Sequence, residues 1–329
     1  MKKILVLGSN SFAGSCFINF ILKKKFKVIG VSRSNEKNKY ECIYFKNKNL
    51  KNFKFIKADI NKNLDKIKST ITKRKINYIV DFLGQGMVAE SWINPEQWFQ
   101  TNIISKINLI NFLVKKKIIK KYIRISTPEV YGSSSKKLTE NSIQNPSTPY
   151  AITHMTIDKY LKLMNTQYSF PVNILRFANF YGKSQPLYRI IPKTIITILK
   201  KNQLPLHGNG SSLRSFIHIN DFCNAIYLGL MKGKNGETYN FSSSEIISIK
   251  NLIKKISKKM QYNYSKLVKI KKDRPGKDYK YFMSSKKANN QLNWINLISL
   301  DKGIDDTIQW YKENFKYLKN KSLNYNHKK

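Results

Sequence analysis

The first half of the chain alternates between short apolar runs and longer segments with helical periodicity. The apolar runs predict strands at 4–7, 27–31, 53–57, 76–82, 123–125 and 172–175. Helical patterns lie between them from after Gly14 through Leu22 and at 63–73, 96–116 and 150–167. Strands that alternate with helices in this way form parallel sheets covered on both faces. With right-handed crossovers, the pattern predicts an α/β fold built on a doubly wound parallel Rossmann sheet.

The alternation ends after about residue 176, where prolines and glycines separate shorter elements. We therefore expect residues 1–175 to form the Rossmann domain. Residues 176–318 should form a smaller C-terminal lobe, with some elements that return to the Rossmann domain. The last residues, 319–329, read as a frayed basic tail.

The chain has a formal net charge of +42, which by itself would suggest a nucleic-acid partner. Only seven of its 61 basic residues are arginine, however, and the lysines are spread over the whole length. A protein that reads bases is expected to use more arginine, because the guanidinium fork matches guanine and phosphate. We therefore favour an AT-rich genome over nucleic-acid binding as the cause. The excess charge would still attract anionic substrates such as nucleotides.

The sequence indicates a cytoplasmic protein without membrane spans. No apolar run approaches the length that crosses a bilayer, and the apolar run after Met1 is too short for a signal peptide. The three cysteines, Cys16, Cys42 and Cys223, are odd in number and far apart, which is typical of thiols in a reducing compartment. The histidines have no ligand spacing, so no metal is implied.

A glycine-containing turn at 8–14 joins the first predicted strand to the first helix. A helix N-terminus offers free N–H groups and the positive end of the helix dipole, which suit a pyrophosphate. The candidate cofactor-binding residues of this turn are Gly8, Ser11, Phe12 and Gly14. Ser11 stands where a middle glycine is usual, so its side chain lies near the cofactor. The alternative is a simple tight turn.

Two other segments bear on the cofactor. The second strand ends at Arg33 rather than at an acidic residue, and a guanidinium there would pair with a 2′-phosphate. This favours NADP(H) over NAD(H), although Arg33 could also be an exposed loop residue. Asp59 and Ile60 follow the third strand, and the Asp59 carboxylate would either accept from the adenine amino group or cap the next helix.

Two further motifs carry a resemblance. The sequence Ile-Ser-Thr-Pro-Glu-Val-Tyr-Gly at 125–132 follows a strand, and Pro-Tyr-Ala-Ile-Thr-His at 149–154 opens a helix. With the glycine turn, they resemble the extended short-chain dehydrogenase/reductases, and within them the NAD(P)-dependent nucleotide-sugar epimerase/dehydratase family with its dTDP-glucose 4,6-dehydratase group. Matching blocks run from Lys3 to about Phe315, including segments at 81–84, 95–102, 175–182, 213–221 and 273–278.

The resemblance implies catalytic roles for residues in these motifs. Tyr150 is the tyrosine of Tyr-x-x-x-Lys and would take the proton of a sugar 4-hydroxyl, while Thr127 would share the 4-oxygen. The helper position holds His154 instead of Lys. Either anions in the site keep this histidine protonated, or the tyrosine remains a weak base. Glu129 keeps the position of the base for the C5 proton. Pro128 replaces the acid of the 4,6-dehydratases and has no proton to donate.

The resemblance also implies binding roles. Leu83 and Gly84 would contact the cofactor. Asn179 matches a residue that holds the sugar-proximal phosphate, and a planar guanidinium suits a diphosphate. The arginines in the matching diphosphate-binding segments are Arg189, Arg214 and Arg274. A homodimer through the helices near 96–116 and 150–167 is implied as well.

The sequence therefore predicts an enzyme with a tightly bound NAD(P) that acts on a nucleotide-diphosphate sugar through a 4-keto intermediate. The first interpretation is that this enzyme is a 4,6-dehydratase. A 4-epimerase or decarboxylase of the same family remains open, since neither needs an acid at position 128. The third interpretation is a catalytically weak Rossmann protein that binds a nucleotide sugar.

Overall fold

The main sheet of the computed structural model, which describes residues 1–272 and 282–327, contains seven parallel strands among those residues. The strands of the described residues are β1 Lys3–Leu7, β2 Lys27–Ser32, β3 Phe53–Lys57, β4 Tyr78–Asp81, β5 Lys121–Ser126, β6 Lys137–Leu138, β7 Val172–Phe177, β8 Asn179–Tyr181, β9 Leu204–His207, β10 Leu213–His218, β11 Thr238–Phe241, β12 Ile246–Ser248, β13 Val268–Lys271 and β14 Phe282–Met283. The spatial order of the seven strands in the main sheet is β11-β7-β5-β4-β1-β2-β3. The predicted Rossmann sheet is confirmed.

Helices cover both faces of this sheet. The helices of the described residues, some of which belong to the second lobe, are α1 Phe12–Leu22, α2 Leu64–Lys73, α3 Val88–Ile93, α4 Pro95–Phe99, α5 Ser105–Lys116, α6 Pro149–Tyr168, α7 Ile190–Leu199, α8 Ile219–Lys232, α9 Ile249–Lys259, α10 Tyr264–Leu267, α11 Lys286–Leu292, α12 Leu300–Glu313 and α13 Phe315–Leu318. Side chains alternate between the faces of a strand. In β1, Ile4 and Val6 pack with α1 and α8, whereas Leu5 and Leu7 pack with α2, α5 and α6.

One predicted helix is divided. The segment expected as a helix over 96–116 consists of α4, a π-helical turn at Gln100–Ile104 and α5. The buried Asn102 lies in that turn and bonds to the Gln85 backbone through both ends of its amide. Such turns widen the helix and often occur at functional sites.

The second lobe has its own apolar core. Buried residues of α7, α9 and α12 pack there against the three-stranded sheet β12-β10-β8 and the β13-β9 pair. The lobe is not separate from the first, because β11 pairs in parallel with β7 at the edge of the main sheet. Within the tail, His327 stacks on Trp98 with ring centroids 5.3 Å apart.

The strand order reverses between β1 and β4. From β1 the chain runs outward through β2 and β3, and it then returns to place β4 on the other side of β1. In doubly wound sheets a ligand crevice opens at the carboxyl ends of the strands at such a switch point. The turns that follow Leu7 and Asp81 therefore border the candidate site.

Candidate active site

The glycine turn after β1 has the geometry of a tight strand-to-helix connection. Gly8 has φ +79°, a left-handed conformation that favours glycine, and its N–H donates to Val31 O at 2.8 Å. A Cβ on Gly14 would lie 2.4 Å from Gly8 O, so only glycine lets α1 start this close to the turn. The Ser11 hydroxyl caps α1 by accepting from Gly14 N.

The N-terminus of α1 fits a pyrophosphate. The N–H groups of Phe12 and Ala13 belong to the first helical turn, which precedes the helix's own hydrogen bonds. No acidic side chain lies in that turn to oppose an anion. Phe12 is half-buried and stacks on Phe180 of β8, so the turn faces the second lobe. These features suit the diphosphate of a dinucleotide.

The loop after β2 is fixed to the glycine turn. The buried Ser32 hydroxyl accepts from Asn10 N at 2.9 Å, and Asn10 Nδ2 donates to Asn35 O at 2.8 Å. Arg33 follows directly and is half-buried. Burial raises the pKa of the Tyr325 hydroxyl, and the Arg33 charge opposes part of that rise.

The segment after β3 is a turn ahead of α2. Asp59 Oδ1 accepts from Asn61 N at 2.8 Å, and the half-buried carboxylate thereby stabilises this turn rather than capping the helix. The residue at the helix N-cap is Asn63. Ile60 is buried in the core beneath the turn.

The segment after β4 closes the other side of the crevice. Leu83 N donates to Asp81 Oδ1 at 2.9 Å, and Leu83 O accepts from the buried Lys106 ammonium at 2.5 Å. At Gly84 a Cβ would lie 2.9 Å from the Asn102 amide oxygen. Leu83 and Gly84 are therefore held by α5 and by the π-helical turn.

Tyr150 and Thr127 meet at the carboxyl end of β5. Tyr150 lies in the first turn of α6, and Thr148 caps this helix. The Ser91 hydroxyl of α3 anchors the turn by accepting a hydrogen bond from Tyr150 N at 3.2 Å. Burial raises the pKa of the Tyr150 hydroxyl, and so does the Glu129 charge. A hydrogen bond to Thr127 and the charges of Arg189 and Arg124 act in the opposite direction. The structure thus brings Tyr150, Thr127 and Glu129 together.

The segment after Thr127 is a 3₁₀ turn at Pro128–Tyr131. Thr127 caps it by accepting from Glu129 N at 3.4 Å, and the buried Pro128 occupies its first position. Proline suits that position because its ring fixes the backbone angle and no N–H is needed there. Pro128 therefore serves the turn, while Glu129 is half-buried beside Tyr150.

His154 lies one helical turn after Tyr150, with ring centroids 4.4 Å apart. The imidazole is buried, and its Nδ1 lies 3.0 Å from Nη2 of Arg124 on β5. Burial lowers the pKa of His154 well below its usual value, and the charges of Arg124 and Lys106 lower it further. The structure therefore favours a neutral His154 over the protonated form that the sequence left open.

Arg124 belongs to a buried ionic network that sequence reasoning missed. Asp81 Oδ2 accepts from Lys106 Nζ at 2.6 Å and lies 3.7 Å from Arg124 Nη1. Asp158 lies 3.4 Å from both Arg124 and Arg176. All five side chains are at most 2% exposed. In the sequence, this network is indicated by a charged residue within each of three apolar strands: Asp81 in β4, Arg124 in β5 and Arg176 in β7.

The predicted substrate-binding residues lie in the second lobe. Asn179 starts β8, next to Phe216 of β10, and Arg214 lies on β10 opposite Ile247. Arg189 is exposed at the start of α7, stacks over Tyr188 and acts electrostatically on Tyr150. The charge of Arg189 thus relates this residue to Tyr150. Arg274 lies outside the described residues.

Over 1–272 and 282–327, no group of three or more His, Cys, Asp or Glu side chains is arranged to hold a metal ion. Across the same residues, no helix has both the length and the apolarity that a membrane span requires.

The chain is similar to known dehydratases over nearly its whole length. A family model described as GDP-mannose 4,6 dehydratase matches residues 5–307. The dTDP-D-glucose 4,6-dehydratase of Homo sapiens is 30% identical over 331 residues, which cover 97% of this chain and 92% of the human protein. A probable dTDP-glucose 4,6-dehydratase of Sinorhizobium fredii is 27% identical and covers 95% and 93% of the two chains.

Solved structures of nucleotide-sugar dehydratases and epimerases are also similar to this chain. A dTDP-glucose 4,6-dehydratase from Streptomyces venezuelae with NAD bound has a TM-score of 0.88 at 26% identity and covers 96% of this chain and 98% of its own. A UDP-glucose 4-epimerase from Thermotoga maritima with UDP-glucose has a TM-score of 0.86 at 25% identity and covers 95% and 99%. The predicted resemblance and enzyme class are confirmed: the chain belongs to the GDP-mannose 4,6-dehydratase family, among the nucleotide-sugar dehydratases and epimerases.

Proposed function

We propose that this enzyme oxidises C4 of a nucleotide-diphosphate sugar and forms a 4-keto-6-deoxy sugar by loss of water. The observation that carries the proposal is that the Tyr150 hydroxyl interacts with Thr127 at the carboxyl end of β5, beside the Glu129 carboxylate, and Thr127 itself directly follows that strand as the cap of the next turn. A hydroxyl pair in this arrangement can hold one substrate oxygen and remove its proton. The adjacent carboxylate can remove a carbon-bound proton once the neighbouring carbon is a ketone.

Each residue has one task in this proposal. Thr127 orients the 4-oxygen, and its own position is fixed because it caps the 3₁₀ turn at Pro128–Tyr131. Tyr150 accepts the 4-hydroxyl proton, and Glu129 accepts the C5 proton. NAD(P), when bound, would take up the hydride from C4 and return it to C6 after the 6-hydroxyl leaves. That hydroxyl would depart as water with the proton that Glu129 removed from C5, and the proton accepted by Tyr150 would return to C5, so the overall reaction is a loss of water without net oxidation.

The cofactor is proposed to be a tightly held NAD(P), with the pyrophosphate at Phe12 and Ala13 and the dinucleotide along Asp59, Leu83 and Gly84. Related dehydratase and epimerase structures contain NAD. The finer preference for NADP rests on Arg33, a half-buried cation that directly follows β2. A 2′-phosphate there would accept charge-assisted hydrogen bonds.

The substrate is proposed to be anionic and to enter between the lobes. Arg189 supports this, because it is exposed at the start of α7 and its charge reaches Tyr150. Asn179 and Arg214 would bind the diphosphate from β8 and β10, and the net charge of +42 would steer it. The human relative is named for a dTDP sugar, which makes dTDP-glucose the first candidate.

A 4-epimerase is the second candidate, and Pro128 is the observation that favours it. An epimerase needs no acid for a leaving 6-hydroxyl, and the buried Pro128 cannot donate a proton. The epimerase from Thermotoga maritima has nearly the same fold similarity as the dehydratase.

We also propose a cytoplasmic homodimer. Apolar side chains on α6 and on the π-helical turn before α5 support a contact between copies, because they are 38–51% exposed; they are Ile104, Ile152 and Leu163. Exposed apolar side chains grouped in this way often mark an interface.

The test is product analysis. The enzyme is incubated with NAD or NADP and with dTDP-, UDP- and GDP-sugars, and products are read by mass spectrometry and NMR. Loss of one water identifies the dehydratase, and a new isomer of unchanged mass identifies the epimerase. Bound nucleotide sugar without turnover would contradict both and leave a binding protein.

A further inference from the structure

The contact between Arg124 and His154 fixes the protonation of the imidazole. A guanidinium carries only donors, so an Arg124 N–H that bonds to Nδ1 requires an unprotonated Nδ1 there. The histidine is then neutral, with its proton on Nε2. A positive charge beside Tyr150 must therefore come from another group than His154.

The ionic network supplies such a charge. It combines three cations, Lys106, Arg124 and Arg176, with two anions, Asp81 and Asp158. The sum is one positive charge, held where water cannot screen it. Arg124 is the member of the network that bonds to His154, and His154 lies beside Tyr150. The excess positive charge therefore lies on the side of the network that faces the tyrosine.

We propose that Arg124 provides, through His154, the positive charge that the lysine of Tyr-x-x-x-Lys provides elsewhere in the family. Arg124 is then a positioning residue: it holds the imidazole and biases Tyr150 toward giving up its proton. This inference rests on the proposed function, because it assigns the charge that Tyr150 needs as a base.

Electrostatics support the geometry. Burial and the Glu129 charge raise the pKa of Tyr150, whereas the charges of Arg189 and Arg124 lower it. Arg189 is exposed, so water and salt screen its charge, whereas Arg124 is buried. Burial also lowers the pKa of Lys106 to about 8, whereas an arginine keeps its proton at every pH the enzyme survives. The ionisable groups around His154 and Tyr150 are Tyr150 itself, Arg124, Lys106, Asp81, Asp158, Glu129 and Arg189.

The kinetic test is a charge swap. Arg124→Leu should lower the rate of cofactor reduction by a nucleotide sugar on the order of tenfold or more near neutral pH, because the base is weakened. Adding His154→Lys in the same chain should restore the rate to within about threefold, since the ammonium replaces the lost charge. Arg124→Leu leaves two cations and two anions in the network, so its sum falls from one positive charge to zero and no excess of negative charge is left buried. Arg124→Lys keeps the charge and should retain most of the rate.

Arg176→Leu is the matched control. It removes a buried guanidinium from the same network, but that guanidinium bonds to Tyr131 and Asp158 rather than to His154. Adding His154→Lys to Arg176→Leu should bring no gain. If His154→Lys fails to raise the rate of Arg124→Leu, or raises both backgrounds equally, the proposal is wrong.

A measurement without turnover separates this proposal from the proposed function. Histidine ¹⁵N NMR, with the His154 signal identified by its loss in His154→Gln, reports the tautomer directly. We expect a neutral Nε2–H form between about pH 6 and 9, and titration closer to 6.5 in Arg124→Leu. A wild-type His154 that titrates near 6.5 would overturn the inference, whether or not a substrate is found.

Discussion

The carbonyl oxygen of Gly8 and the α-carbon of Gly14 approach so closely that a Cβ on Gly14 would lie 2.4 Å from the oxygen. This approach lets α1 begin directly over the turn that follows β1. It also sets the position of the Phe12 and Ala13 N–H groups, on which the proposed cofactor site depends.

Gly14→Ala should therefore destabilise the protein by about 1–3 kcal/mol, the usual cost of overpacking, and should weaken NAD(P) binding. Thermal unfolding and cofactor titration would measure both effects. Gly86→Ala is the control, because a Cβ at Gly86 has no atom within 4 Å. Equal effects of the two substitutions would show that the close approach does not matter.

Tyr150→Phe should reduce turnover about 10²-fold or more while cofactor and substrate still bind, because it removes the proton acceptor and little volume. Steady-state rates and binding titrations would separate the two. Tyr131→Phe removes another buried tyrosine hydroxyl, one that bonds to Arg176 and Asn240, and it should cost stability but not turnover. Activity of Tyr150→Phe within threefold of wild type would exclude Tyr150 as the base.

Arg33→Ala should weaken the binding of NADP(H) more than that of NAD(H), because only NADP(H) carries a 2′-phosphate. Dissociation constants for both cofactors, compared with those of Arg74→Ala, would test this. Arg74 ends α2, away from the glycine turn. Equal changes for the two cofactors would mean that Arg33 does not select between them.

Acid should destabilise the protein through His218. Burial lowers the pKa of this imidazole to about 4, whereas an unfolded chain has a histidine pKa of about 6.5. Below 6.5 the unfolded state binds the proton first, so the free energy of unfolding falls as the pH drops from about 6.5 to 4. His154, whose pKa is also lowered, contributes in the same direction.

His218→Asn should remove part of this acid sensitivity. His218 Nδ1 accepts from Asn220 N at the start of α8, and asparagine can cap the helix in its place without titrating. Denaturant unfolding at pH 5 and pH 8 should show a wild-type loss larger than that of the variant. The same loss in both proteins would contradict a role for His218.

Local patterns were sufficient to predict some features. The apolar run at 4–7, the glycines of the turn and the Tyr150 motif each depend on residues close together in the sequence. The structure accordingly has β1, α1 and α6 within a few residues of their predicted bounds.

Other features depend on contacts between distant segments. The Arg124–His154 contact joins β5 to α6 across 30 residues, and neither residue indicates its partner. The predicted helix over 96–116 is interrupted where Asn102 bonds to the Gln85 backbone, which lies 17 residues away. Tertiary structure, rather than helical periodicity, decides the backbone there.

The pairing of β11 with β7 has a consequence for biosynthesis. β7 ends at Phe177, but its outer neighbour begins only at Thr238, about 60 residues later, so ribosomes need ~3–12 s to deliver it. Until then β7 presents an open edge of unpaired backbone groups, a known route to aggregation. A truncated gene that stops after β7 should thus yield insoluble protein, and nascent chains should depend on chaperones most during this interval.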